Sequence, residues 1–451
     1  MEAIRMRGIY YYFIQYLFLF SLFLGITGDS LGSGEESKVS SPPSSTSPGK
    51  RISLIDAENL FLRNNLSLLA SRMDVESKKG DILQAGLWDN PNFFMDQNAY
   101  NRNTGVVLDT TKNGQTAIQI QQLFLLAGKR DKRIRLAKWN KEIAEQTFYD
   151  TLRSLKLELR SSFFQLYFAR KSLEFYEESI PQVRKTIVGA ENVYKSRELL
   201  LAELLRLKAI LFRLETDRSE LIKIILEKEE TLRVLLNDPE SFEEEIFPVW
   251  SESETSESSP LVLETEDLLK TALEYRPDLK GLELAVKAEQ TNLSLQKAMA
   301  VPDLALGGSW DRAGNYINNY YGVTVSIALP VFDRNQGNIR SSETVLAAKK
   351  AVLEEKFLKV KAEVKSALGQ AKEKDRLLQE YRNSFTKDYK NLAGMMIENY
   401  KKRYITILEF SDFFESYSDS TIKMIRLRSD RIDAIENLNY TVGRTIAGEG
   451  K

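Results

Sequence analysis

The 451 residues include neither cysteine nor histidine. Their absence removes a thiol nucleophile, a Ser-His-Asp triad, a Cys/His zinc site and any disulfide. It also removes the cysteine that bacterial lipidation after a signal sequence requires. The densest carboxylate group, Glu243 to Glu245, falls in a loop-like acidic run where solvation is the ordinary role. No glycine-rich phosphate loop stands between a strand and a helix. The 63 basic and 64 acidic residues leave a net charge of −1, so no basic excess attracts nucleic acid. The expectation is a protein that is not an enzyme and carries neither a cofactor nor a metal of its own.

The elements left to explain are long and repetitive. Arg5 and Arg7 precede a nearly unbroken apolar run from Ile9 to Gly25, and small residues follow at Gly25, Thr27, Gly28 and Ser30. This reads as a signal peptide over residues 1–28; an uncleaved anchor is the alternative. Residues 29–51, with Ser41-Pro42-Pro43-Ser44, read as a flexible tether, with order beginning near Ile52. No later segment is apolar enough for a spanning helix, so a mature chain that enters a membrane must do so as a closed β-barrel.

The chain is internally duplicated. Asp56 to Pro91 matches Asp267 to Pro302 at an offset of about 211, and later pairs keep an offset of about 206. Tyr194-Lys195-Ser196-Arg197 answers Tyr400-Lys401-Lys402-Arg403, Leu232 answers Leu438, and Asn237 answers Gly443. The copies are assigned to residues 52–250 and 265–447, joined by a Ser/Glu-rich linker at 251–264. Each begins with a helix (Leu54 to Leu87; Thr265 to Ala300), breaks at Pro91 or Pro302, and continues into two strands and a long helical stretch.

The strands are expected at 92–100, 117–124, 303–311 and 320–329. Tyr321, Val323, Val325, Ile327 and Leu329 alternate with Gly322, Thr324, Ser326 and Ala328. Leu304, Leu306 and Trp310 oppose Ala305, Gly307 and Ser309, and Ile118 and Ile120 oppose Gln119 and Gln121; the faces of 92–100 stay unassigned. Such alternation suits either an outer-membrane barrel or a soluble sheet with one buried face. Four strands cannot close a lipid-facing barrel, so the first reading needs an oligomer. The helical stretches, 129–236 and 338–444, carry apolar seams such as Leu204, Leu207, Leu211, Leu214, Leu221, Ile225, Leu232 and Leu235. Each must fold back near its middle, and a half of about 55 residues spans about 80 Å. An isolated fibrous coiled coil would share this pattern but leaves the strand pairs unexplained.

Several short motifs in this order resemble the TolC family of outer-membrane efflux proteins. They are Arg276-Pro277-Asp278-Leu279, Ala300-Val301-Pro302-Asp303-Leu304, Leu126-Ala127-Gly128-Lys129-Arg130, and Leu329-Pro330-Val331-Phe332-Asp333-Arg334-Asn335-Gln336-Gly337-Asn338. The last looks most like the heavy-metal (CzcC- and CusC-like) branch. The resemblance covers about Ile52 to Ala447. It implies an α+β membrane protein with helical coiled-coil hairpins forming a periplasmic tube. Two β-hairpins per chain would contribute to a 12-stranded outer-membrane barrel in a homotrimer. It further implies a passive duct in the outer membrane, reaching into the periplasm, with a periplasmic adaptor and an inner-membrane pump as partners. The outer duct of a type I protein-secretion system and a structural periplasmic coiled-coil protein are the alternatives.

The same resemblance puts the periplasmic end at the helical-hairpin tips, near Tyr194 to Leu205 and Tyr400 to Asp412. Acidic residues constrict the pore there in relatives, and the matching positions are Glu203, Glu409 and Asp412. Tyr194, Arg197, Tyr400 and Arg403 are candidates for tip or adaptor contacts. Relatives usually carry glycine where this chain has Arg197 and Arg403. Arginine lacks glycine's ease at positive φ, so these turns are expected to differ from the relatives'.

Overall fold

The computed structural model describes residues 49–239, 243–251, 259–313, 317–385 and 388–446. The assigned signal peptide, the tether up to residue 48 and linker residues 252–258 lie outside the described residues.

Each copy opens with two helices where periodicity suggested one. The first has α1 (Leu54–Asn64) and α2 (Leu66–Gly86). Asn65 between them is extended at φ −63°, ψ 122°, and its side chain caps α2 by accepting from the Leu68 N–H at 3.0 Å. The order also begins slightly before Ile52, because β1 (Lys50–Ser53) pairs in parallel with β6 (Ile246–Val249). In the second copy α5 (Thr265–Tyr275) and α6 (Pro277–Met299) meet at Arg276. Pro277 excludes the α conformation from the residue before it, and Arg276 takes φ −68°, ψ 118°.

Four strands form one antiparallel sheet in the order β2 (Asn92–Gln97), β5 (Thr116–Phe124), β7 (Leu304–Ala313), β8 (Asn318–Ile327). The ribbon of β3 (Tyr100–Asn101) and β4 (Val106–Val107) lies between β2 and β5 in the chain. Register assigns the faces, because directly opposed residues point the same way. Met95, Ile118, Trp310 and Tyr321 form one row, and Phe93, Ile120, Gly308 and Val323 the next. Leu306 with Val325 and Leu304 with Ile327 extend that apolar face. The opposite face carries Gln119, Ser309 and Gly322, then Gln121, Gly307 and Thr324. Phe93 and Met95 therefore belong to the apolar face.

The helical arms are α3 (Lys129–Lys195), α4 (Leu201–Leu236), α7 (Gln336–Phe385), α8 (Asp388–Lys401) and α9 (Ile407–Val442). At 1.5 Å per residue α3 spans about 100 Å. The seam expected along α4 is the core: Leu204, Leu207, Leu214, Ile225, Leu232 and Leu235 are buried, against Leu159, Phe163 and Leu166 of α3 and Phe410 and Phe414 of α9. Among the described residues no helix is long and apolar enough to cross a membrane.

Two ionic knots are centred on residues of the family-like motifs, and each has a contact from one copy to the other. Arg276, buried at the α5–α6 junction, grips Asp278 through both carboxylate oxygens (3.0 and 2.7 Å), Glu363 of α7 at 2.7 Å and the Thr441 carbonyl of α9 at 3.0 Å. Lys356 and Arg153 also reach Asp278, at 2.7 and 3.4 Å. Burial alone would raise the Asp278 carboxyl, but hydrogen bonds from Arg276 and Lys356 hold it well below the usual carboxylate range. Asn65 holds the matching place in the first copy and donates to the carbonyl of Leu235, the counterpart of Thr441. At the base of the sheet, buried Lys129 pairs with Asp303 at 2.7 Å and donates to the Val301 carbonyl at 2.6 Å, while the Leu126 N–H donates to Asp303.

Candidate functional site

The turn from α3 to α4 and the turn from α8 to α9 are built alike. Arg197 donates its N–H to the Tyr194 carbonyl (2.9 Å) and Glu198 to Val193 (3.2 Å); Arg403 donates to Tyr400 (2.9 Å) and Tyr404 to Asn399 (2.8 Å). This pair of bonds is the Schellman closure of a helix C-terminus, which needs a left-handed residue after the cap. Arg197 and Arg403 supply it at φ 60° and 59°. Arginine thus takes, in both turns, the left-handed position that glycine favours. The backbone is kept in both copies, and arginine bears a left-handed strain of about 1 kcal/mol.

The three expected gate carboxylates stand in the first two turns of the returning helices, and each has a partner. Glu203 accepts from the Leu200 N–H at 3.0 Å. Glu409 accepts from the Thr406 N–H at 2.8 Å, and Thr406 Oγ1 accepts from the Glu409 N–H at 3.2 Å, a reciprocal capping box. The hydrogen bonds from Thr406, backbone first, lower the Glu409 carboxyl below its ordinary value. Leucine at position 200 cannot complete the corresponding box, so the first copy has half of it. Asp412 receives Arg206 Nη2 at 2.7 Å.

Sequence reasoning missed the contacts that tie the two tips to each other. Arg403 pairs with Glu198 at 2.9 Å, and Arg206 bridges Asp412 and the buried hydroxyl of Ser411 (2.8 Å). Only the opposite signs at the repeat-related positions 206 and 412 hinted at the second. The tyrosines diverge. Tyr400 stacks on buried Phe410 with centroids 4.9 Å apart, and burial raises its phenol, whereas Tyr194 is exposed. Exposed Leu200, Leu205, Tyr404 and Leu408 complete the tip surface.

The other candidate surface is the apolar face of the sheet. Tyr321, Val323, Val325 and Ile327 are 78%, 86%, 63% and 49% exposed in the single chain, and Phe93 is exposed too. A contiguous apolar sheet face of this kind is what lipid covers. Along the helical arms, a cavity of about 690 Å³ between α3, α4 and α9 is lined by Asp217, Asp419, Asp430 and Asp433 with Arg213 and Arg426. Among the described residues no group of three or more carboxylates is arranged to hold a metal ion.

Comparison with known proteins identifies the family. The family model described as outer membrane efflux protein matches residues 59–196 and 268–444, one block in each copy. The cobalt-zinc-cadmium resistance protein CzcC of Cupriavidus metallidurans is 23% identical over 294 residues, which cover 64% of this chain and 66% of that protein. The match thus spans just under two thirds of that relative's length. The crystal structure of the CmeC outer membrane channel of Campylobacter jejuni superposes with a TM-score of 0.72 at 14% identity, covering 88% of this chain and 87% of that one. CusC superposes with a TM-score of 0.68 at 16% identity, covering 92% and 100%. These likenesses show a shared α+β fold of the TolC-like channels. With both of its copies matched, the chain belongs to the outer membrane efflux protein family, and it is an outer-membrane protein that extends into the periplasm.

Proposed function

We propose that three copies of this chain assemble into a passive export duct that works with a periplasmic adaptor and an inner-membrane pump. The observation that carries this reading is the four-stranded sheet, apolar on one face, whose edge strands β2 and β8 have no further partner among the described residues. An open edge in an apolar sheet invites pairing with another chain. Joining β8 of one copy to β2 of the next would close a barrel with four strands from each chain. The polar face, with Gln119, Gln121, Ser309 and Thr324, would then line the lumen. The helical arms below would form the tube, α3 alone reaching about 100 Å.

In this duct Glu203, Glu409 and Asp412 each recur three times around the axis and make the constriction, favouring cations. Tyr194, Arg197, Tyr400 and Arg403 lie at the end that meets the adaptor. The likeness to a cobalt-zinc-cadmium resistance protein supports divalent metal ions as cargo. Having no His or Cys, the duct offers such ions neither thiolate nor imidazole, so selection falls to the pump. The test is single-channel recording in planar bilayers, with the oligomer mass determined in the same detergent. Discrete cation-preferring channels from a trimer are expected. A monomer that never inserts would overturn the reading and leave the sheet as a soluble one.

A further inference from the structure

We propose that the periplasmic tip docks an adaptor whose own end is acidic, with Arg197 as the principal contact; this rests on the reading of the tips as the adaptor-binding end. The charges at the tip are unevenly paired. Its carboxylates are engaged within the tip itself. Glu198 holds Arg403, Asp412 holds Arg206, and Glu203 and Glu409 hold the first N–H groups of α4 and α9. Lys195 lies within electrostatic reach of Glu191, whereas the exposed cations Arg197 and Lys402 have no ion-paired carboxylate among the described residues.

The duplication explains why Arg197 is left over. Arg403 finds Glu198, the residue that follows Arg197 in the other copy. The reciprocal partner of Arg197 would be the residue that follows Arg403, and that residue is Tyr404, 76% exposed and uncharged. One arginine of the repeat-related pair is neutralised and the other is presented. It is presented from a left-handed backbone, φ 60°, where glycine would be relaxed. A strained residue held at the end of a rigid helical hairpin is a feature associated with function.

Around this charge lie exposed Leu200, Leu205, Tyr404 and Leu408. An apolar patch with an unpaired arginine beside it fits a partner that brings an apolar surface and a carboxylate to that arginine. A threefold assembly would multiply the effect by repeating the patch.

The test uses the full chain in detergent and two synthetic helical-hairpin peptides, identical except that the connecting turn carries two Glu in one and two Gln in the other. Binding is measured at rising salt, and conductance of the same preparation is recorded in bilayers. The Glu peptide is expected to bind about tenfold tighter than its Gln twin, with the advantage shrinking as salt rises. Arg197→Gln keeps a non-glycine residue at the turn and removes only the charge, so it should abolish the difference. Arg376→Gln, far along α7, should leave it intact. Equal binding of the two peptides, no binding of either by a conducting trimer, or an unchanged preference in Arg197→Gln would each overturn the proposal. Absence of conducting trimers would instead overturn the duct reading itself.

Discussion

Arg206 and Asp412 hold the same place in the two copies of the repeat, at the offset of about 206, and they are ion-paired with each other at 2.7 Å. Duplication alone would have placed like residues there. Opposite charges let α4 and α9 attract where they meet at the tip. Both side chains are substantially exposed, 43% and 61%, so the pair contributes about 0.2–1 kcal/mol. Reversing one charge, in Arg206→Asp or Asp412→Arg, should loosen the tips and raise single-channel open probability. The double swap should restore the wild-type value. Single variants that conduct like wild type would show that the pair is surface decoration.

The roles of Glu409 can be separated chemically. Glu409→Gln keeps an acceptor for the Thr406 N–H and removes the ring charge, whereas Glu409→Ala removes both. Cation preference should fall in both variants, and tip stability only in the alanine one, read by hydrogen exchange in the first turn of α9. Because hydrogen bonds from Thr406 lower its carboxyl, Glu409 stays ionised below the ordinary carboxylate value. Its capping contribution is present at neutral pH and is lost only as pH falls past that lowered value. The same order is expected for cation preference, measured as reversal potential against pH.

The Arg276–Asp278 knot should dominate stability. Asp278→Asn leaves Arg276, 2% exposed, with a weakened partner, at a cost of about 3–5 kcal/mol in denaturant unfolding. Since the folded carboxyl lies below its unfolded value of 3.8, the contribution is full above that value and is lost as pH falls through the folded one. Gly443 offers an independent probe. It sits at φ 80°, and an added Cβ would meet Arg276 Cγ at 3.2 Å. Gly443→Ala should cost about 1 kcal/mol or more.

The two faces of β8 should respond differently to charge. Val323→Arg, on the apolar face, should cost about 2–4 kcal/mol if lipid covers it and reduce assembly in bilayers. Thr324→Arg, on the other face, should assemble and lower conductance to cations. Equal effects at both positions would argue that the sheet has no lipid face.

Much of the architecture was legible in the sequence because it rests on local periodicity. Period-two alternation from Tyr320 to Leu329, heptad spacing from Leu204 to Leu235 and the repeat offset are properties of the chain itself. So is the exclusion of Cys and His chemistry. Tertiary structure decided the rest, because it depends on register and on residues far apart in sequence. The face of Phe93 was assigned only by its pairing with Ile120. The expected single helices were broken at Asn65 and Arg276, where a cap and a following proline outweighed an unbroken apolar pattern. Glu203, Glu409 and Asp412 could be found by resemblance, but their partners could not, since Arg206 and Asp412 meet only when two hairpins fold side by side. That Arg197 is left over while Arg403 is neutralised likewise follows from the way the two copies pack, because Arg403 meets Glu198 only in the folded tips and the residue answering Glu198 in the second copy is the uncharged Tyr404.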